Sequence, residues 1–128
     1  MTMALSKKHK NRILIIDDDQ TVAVILMEFL KNKNFIVSYA TEVRNIDELL
    51  SNEKPDLIFL DYRMSPLTGK DILERINLQA HPVPVVMMSA YRTREGVFEV
   101  KNLGALDYIN KPFDFNEIDI ILGRVFAS

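Results

Sequence analysis

The sequence has 128 residues, 48% of them hydrophobic and 27% charged, the make-up of one folded domain with an apolar core and no room for a second sizeable one. It contains no cysteine, which excludes disulfide frameworks, thiolate metal sites and cysteine nucleophiles, and its formal charge of -2 gives no general attraction to nucleic acid. No apolar run is long enough to span a membrane, and Met1 to Leu5 lack the apolar stretch of a signal peptide, so the expected location is the cytoplasm.

Residues 1–11 read as a solvated tail that carries most of the one basic cluster (Lys7, Lys8, His9, Lys10 and Arg12), and a single domain is expected over 12–127. Ile13 to Ile16 is the first of five short apolar runs. The next segment keeps helical spacing through Val22, Ile25, Leu26, Phe29 and Leu30. The pattern then repeats: a run at Phe35 to Tyr39 and helical spacing at Ile46, Leu49 and Leu50; a run at Leu57 to Leu60 and helical spacing at Ile72, Leu73 and Ile76. Val83 to Met88 precedes Val97, Val100 and Leu103, and Leu106 to Ile109 precedes Ile118, Ile121, Leu122 and Val125. Runs this short, mostly β-branched or large, read as strands, and their near-continuous hydrophobicity predicts burial on both faces. Strict alternation with helices predicts an α/β fold, a doubly wound five-stranded parallel sheet in a three-layer sandwich with right-handed crossovers.

The chemically informative residues fall just after the strands. Asp17, Asp18 and Asp19 follow the first, Asp61 the third, Ser89 the fourth, and Lys111 with Pro112 the fifth. In an open sheet of this kind ligands bind beyond the carboxyl ends of the strands, at the switch point of the chain order. Three carboxylates, a hydroxyl and an ammonium are therefore expected around one crevice. Clustered carboxylates repel and raise the pKa of one partner, a conflict that a divalent cation relieves. Magnesium, or manganese, suits Asp17, Asp18 and Asp61 because it takes an octahedron of oxygens and needs only one or two carboxylates. A carboxylate can also accept a phosphoryl group when metal and ammonium offset the charge that develops, and Lys111 is the ammonium at hand.

Taken singly, each residue has a structural reading. Asp19 or Asp18 suits a helix N-cap, an aspartate ending a strand is common turn chemistry, Ser89 suits a loop hydroxyl, and Lys-Pro is a usual turn. Their joint placement after strands one, three, four and five is what turn chemistry does not predict.

Four stretches carry a resemblance over nearly the whole chain from Asn11: Ile-Leu-Ile-Ile-Asp-Asp-Asp at 13–19, Pro-Asp-Leu-Ile-Phe-Leu-Asp-Tyr-Arg-Met at 55–64, Val-Met-Met-Ser-Ala-Tyr at 86–91 and Gly-Ala-Leu-Asp-Tyr-Ile-Asn-Lys-Pro-Phe at 104–113. The chain resembles the receiver domains of bacterial two-component response regulators. The resemblance implies a flavodoxin-like (CheY-like) sheet of order 2-1-3-4-5. It implies Asp61 as phosphoacceptor, Asp18 as a direct magnesium ligand, Asp17 as a ligand through water, and the Arg63 backbone carbonyl as a further ligand. Ser89 stands at the family's Ser/Thr switch position, Tyr108 at its aromatic switch position, and Lys111 at its lysine, with a cis bond to Pro112. The implied partners are a sensor histidine kinase or histidine phosphotransfer protein and an output target or domain, with pairing of two copies through the fourth helix, fifth strand and fifth helix as a further possibility. In the family the hydroxyl moves toward the phosphate and the aromatic ring turns inward, reshaping that same face. A switch that assists its own phosphorylation, rather than an enzyme, is the implied class, with neither nucleic acid nor membrane bound by this domain.

One departure lies after the acceptor: the family's Met-Pro and Asp-Gly become Met64-Ser65-Pro66 and Thr68-Gly69, which bears on the loop and leaves the spacing to Gly69 intact. Two other readings stay open. Asp17-Asp18-Asp19-Gln20-Thr21 also fits the Asp-x-Asp-x-Thr motif of haloacid dehalogenase-like phosphatases, with Asp17 as nucleophile, although Asp61 would then have no role. The other is an interaction module with this fold that does not use phosphate. Arg63 and Tyr91, each two residues past a site residue, are expected to screen the phosphate from water.

Overall fold

The computed structural model describes residues 11–126. The tail expected over 1–11 lies outside them except for Asn11, whose carbonyl already accepts the Ile36 N–H at 3.0 Å. Arg12 belongs to the first strand and is tied by its N–H to Asp56 (2.8 Å) and by its guanidinium to the Glu53 carbonyl (3.0 Å). The elements are β1 (Arg12–Ile16), α1 (Gln20–Lys31), β2 (Ile36–Ala40), α2 (Ile46–Glu53), β3 (Leu57–Asp61), α3 (Gly69–Asn77), β4 (Val85–Ser89), α4 (Arg94–Asn102), β5 (Asp107–Asn110) and α5 (Phe115–Phe126). All strand pairs are parallel, in the order β2-β1-β3-β4-β5.

Alternation along the strands divides the core in two. Leu14, Ile16, Ile58, Leu60, Val85, Met87 and Tyr108 face one side and pack with Ile46, Ile72, Leu73, Ile76 and Val100 of α2, α3 and α4. Ile13, Ile15, Leu57, Phe59, Val86, Met88 and Ile109 face the other and pack with Leu26 and Leu30 of α1 and Ile118, Ile121 and Leu122 of α5. Because successive side chains point to opposite faces, a strand covered on both sides must be apolar at every position, which is why the runs are unbroken. Each such buried aliphatic residue contributes about 1.5–3 kcal/mol.

Helix starts are set by short polar side chains. Asp19 caps α1 by accepting from Thr21 and Val22, Asn45 caps α2 from Glu48, and Thr93 caps α4 from Gly96. At α3 the Thr68 hydroxyl accepts the Asp71 N–H while the Asp71 carboxylate accepts the Thr68 N–H, a reciprocal box. Thr68 thus does the capping at the position where the sequence departs from the family's aspartate. Gly69 has a separate cause: a Cβ there would fall on the Asp61 carbonyl oxygen and come within 2.8 Å of the Tyr62 Cα.

All five strands sit slightly differently from the apolar runs, β1 beginning one residue earlier at Arg12. Phe35 precedes β2 and packs on Phe126 at 5.1 Å, and Val83 and Leu106 precede β4 and β5. At the other end β2, β3, β4 and β5 each run one residue further, so Asp61 and Ser89 are the last residues of their strands and not loop residues. Polarity ended the runs, but the ladder goes on through the Tyr62 N–H to Met88 and the Lys111 N–H to Ser89, both 2.9 Å.

Candidate functional site

The order of the sheet reverses between β1 and β3, and the crevice at their carboxyl ends is where Asp17, Asp18, Asp61 and Lys111 meet. The extra strand residue fixes Asp61 in the β3–β4 register opposite Met88, and Ser89 opposite Asn110. Asp17 is wholly buried. Its N–H donates to the Ala40 carbonyl (3.1 Å), its Oδ1 accepts the Asp19 N–H (2.9 Å), and its Oδ2 faces the Lys111 Nζ at 2.5 Å. Lys111 Nζ also lies 3.3 Å from Asp61 Oδ1, so one ammonium bridges two carboxylates. Lys111 was expected beside Asp61; its closer contact is with Asp17.

Asp61 is nearly buried, and its carboxyl is pushed up to about 6. Burial is the main cause and the Asp17 charge adds to it, against the opposing pull of Lys111 and of the Arg63 N–H. Burial pulls the Lys111 ammonium down, but the hydrogen bond and charge of Asp17 and the charge of Asp61 outweigh it, and the net direction is up. The lysine therefore stays charged at neutral pH.

Asp17, Asp18 and Asp61 each offer a carboxylate oxygen within 4.8 Å of the other two. Two are buried and Asp18 is exposed. The set is all oxygen, and Asp17 Oδ2, fully buried, has its ion contact but no well-angled hydrogen bond. Such a donor set fits a hard divalent cation of the magnesium or manganese kind. Arg63 follows on the loop after β3, its N–H donating to Asp61 Oδ1 at 3.4 Å.

Ser89 is buried, and its Oγ accepts the Tyr91 N–H at 2.9 Å. The Tyr91 ring is 69% exposed, and the Arg63 guanidinium stacks over it at 5.0 Å from the ring centre. The two side chains singled out as screens are in contact with each other. Tyr108 is buried in the core beside α4, its ring stacked on Tyr62 with centroids 6.1 Å apart. The Lys111–Pro112 bond is cis, and so is Ser65–Pro66. Sequence reasoning gave no role to Tyr62, whose hydroxyl donates to Glu99 of α4 at 3.2 Å, nor to Lys70, whose ammonium holds the other Glu99 oxygen at 3.1 Å. Nothing local could have shown a contact between residues so far apart in the chain.

The doubly wound fold with an acidic crevice at its switch point is that of the receiver class. Comparison with known proteins bears this out: residues 13–122 match the family model described as response regulator receiver domain. The chain belongs to the response regulator receiver family. It is 33% identical over 114 residues to the regulatory protein AtoC of Escherichia coli K12, covering 89% of this chain but only 25% of that protein. It is 32% identical over 107 residues to the sporulation initiation phosphotransferase F of Bacillus subtilis, covering 84% of this chain and 86% of that one. Among solved structures, the signal receiver domain of a DNA binding response regulator protein from Colwellia psychrerythraea 34H superposes with a TM-score of 0.84 at 28% identity, covering 91% of this chain and 98% of that one. The family is one of signalling switches. The phosphatase reading is not favoured, and the site supplies a reason: Asp17, its nucleophile, has no exposure and is engaged at both oxygens. Among the described residues no helix is long and apolar enough to cross a membrane.

Proposed function

We propose that Asp61 is the phosphoacceptor of this receiver domain and that its phosphorylation switches the face built from α4, β5 and α5. The observation that carries the reading is the single cluster of Asp17, Asp18, Asp61 and Lys111 at the switch point of the sheet. Raised to about 6, the Asp61 carboxyl still ionises by neutral pH and can act as a nucleophile. One of its oxygens attacks the phosphorus of a phosphohistidine on a kinase or phosphotransfer protein; the P–N bond breaks, and the imidazole leaves with its electron pair. Asp17, Asp18, Asp61 and the Arg63 carbonyl are the residues to hold magnesium or manganese, which when bound supplies charge neutralisation for the phosphoryl oxygens. Lys111 adds a fixed positive charge beside Asp61, and Ser89 turns its hydroxyl toward the phosphoryl group as Tyr108 supports the rearranged β4–α4 loop.

An apolar hollow of about 200 Å³ beside Lys111, lined by Val22, Ile25, Pro112, Phe113 and Phe115, supports docking of the donor next to the acid crevice. Phe98 on α4 and Ile120 on α5, 69% and 65% exposed, support an output partner or a second copy on the switching face. Incubation with acetyl phosphate and magnesium, read by intact mass, tests the reading. One added phosphoryl group per chain is expected; catalytic turnover without an adduct, or no reaction at all, would contradict it.

A further inference from the structure

The residue after the acceptor reaches four other elements at once. Tyr62 is pinned to β4 by its N–H on the Met88 carbonyl (2.9 Å) and to the start of α3 by its carbonyl, which accepts from Gly69 (3.1 Å). Its ring lies on the buried ring of Tyr108, inclined by 27°. Its hydroxyl donates to Glu99 Oε1, and Lys70 of α3 holds Glu99 Oε2. The Lys70 hydrogen bond, then that of Tyr62, keeps the Glu99 carboxyl below the usual range, so it remains an ionised acceptor. Apart from this one side chain, α4 approaches the Asp61 end of β3 through no other side-chain hydrogen bond among the described residues. The tyrosine in turn leaves Tyr108 a packed site bounded by Tyr62 on one side and by Gly96, whose added Cβ would lie 3.6 Å from the Tyr108 ring, on the other.

We infer that Tyr62 is a positioning residue that couples the Asp61 end of β3 to α4, its ring backing Tyr108 in the core and its hydroxyl anchoring α4 through Glu99 and Lys70. The functional weight of the coupling rests on the phosphoacceptor reading; the coupling itself does not need phosphate. Breaking the anchor frees α4 to separate from the strand and lets Tyr108 leave its site, so the population competent for phosphorylation falls before any donor arrives.

The experiment uses the unphosphorylated protein, comparing wild type with Tyr62→Phe, Glu99→Ala, Glu99→Gln and the Tyr62→Phe/Glu99→Ala pair. Amide hydrogen exchange in α4 should rise about 3- to 10-fold in Tyr62→Phe, the loss expected for one hydrogen bond to a half-exposed charged acceptor. Exchange in α1 and α5 should not change, and the Tyr108 ring resonances should shift or broaden. Glu99→Ala, which also releases Lys70, should loosen α4 at least as much as Tyr62→Phe, the pair should be no worse than Glu99→Ala alone, and Glu99→Gln should fall between Glu99→Ala and wild type because its amide oxygen still accepts. A uniform rise in every helix, additive effects in the pair, or unchanged α4 exchange and Tyr108 resonances would overturn the inference. Labelling by acetyl phosphate should slow in Tyr62→Phe, with the magnesium-induced rise in melting temperature preserved. An unchanged labelling rate despite a loosened α4 would overturn the link to Asp61. A wild-type protein that never labels would instead count against the phosphoacceptor reading, while the exchange result stands on its own.

Discussion

Replacing Asp61 by Asn should make the metal-free protein more stable at neutral pH. In the folded chain the Asp61 carboxyl is near 6, against an ordinary value of 3.8, because its charged form is buried beside Asp17. A group whose folded pKa is raised gives its full stabilisation below the unfolded value and loses it as pH climbs through the folded value, here between about pH 4 and pH 7. Some two pH units at 1.36 kcal/mol each set the cost of the ionised form at about 3 kcal/mol at most, and a working range is about 1–3 kcal/mol. Asparagine keeps the shape and an oxygen for the Arg63 N–H without carrying the charge. For a chain of this size the gain corresponds to a rise in melting temperature of about 3–10 °C. Thermal melts in chelator at pH 4.5 and 7.5 read it: the difference between variant and wild type should be small at the lower pH and open at the higher one. Magnesium should shrink it by stabilising the wild type. An equal gain at both pH values, or a loss at pH 7.5, would show that repulsion in the crevice is not what governs Asp61.

Magnesium at about tenfold over its dissociation constant should stabilise the wild type by about 1–2 kcal/mol through mass action. Asp18→Ala, at an exposed position, should erase most of that rise, and an undiminished magnesium response would put the ion elsewhere. Arg63→Ala and Tyr91→Ala should each hasten loss of phosphate from purified phosphoprotein, followed by time-resolved mass spectrometry, because each uncovers the crevice to water. Since the two side chains stack, the double change should fall short of the product of the single effects; slower loss in both single variants would reject screening. Gly69→Ala should destabilise by about 1–3 kcal/mol in thermal or urea unfolding, because its methyl group collides with the backbone of Asp61 and Tyr62.

The sheet was legible because a parallel strand buried on both faces has to be apolar throughout, and the five runs mark five strands in chain order. The acidic crevice was legible for a related reason: chain order alone brings the ends of β1, β3, β4 and β5 to one edge. The exact ends of strands were not, since polar Asp61 and Ser89 continue ladders whose hydrogen bonds are made by the backbone and are indifferent to side-chain polarity. Side-chain direction was also hidden. That Lys111 sits nearer Asp17 than Asp61, that Arg63 lies on Tyr91, and that Tyr62 spans to Glu99 all depend on contacts between residues distant in sequence and on rotamers that no periodicity encodes. The Thr68 cap was not read from the sequence, where Thr68 stood only as a departure from Asp-Gly; its role became plain with both hydrogen bonds of the box in place.

The central claim is the identity of the acceptor, and chemical trapping tests it most directly. After labelling with acetyl phosphate and magnesium, borohydride reduces an aspartyl phosphate to the corresponding alcohol, which peptide mapping by mass spectrometry locates to a residue. The modification is expected at Asp61 alone and absent without prior labelling; reduction at Asp17 or Asp18 with Asp61 untouched would contradict the assignment.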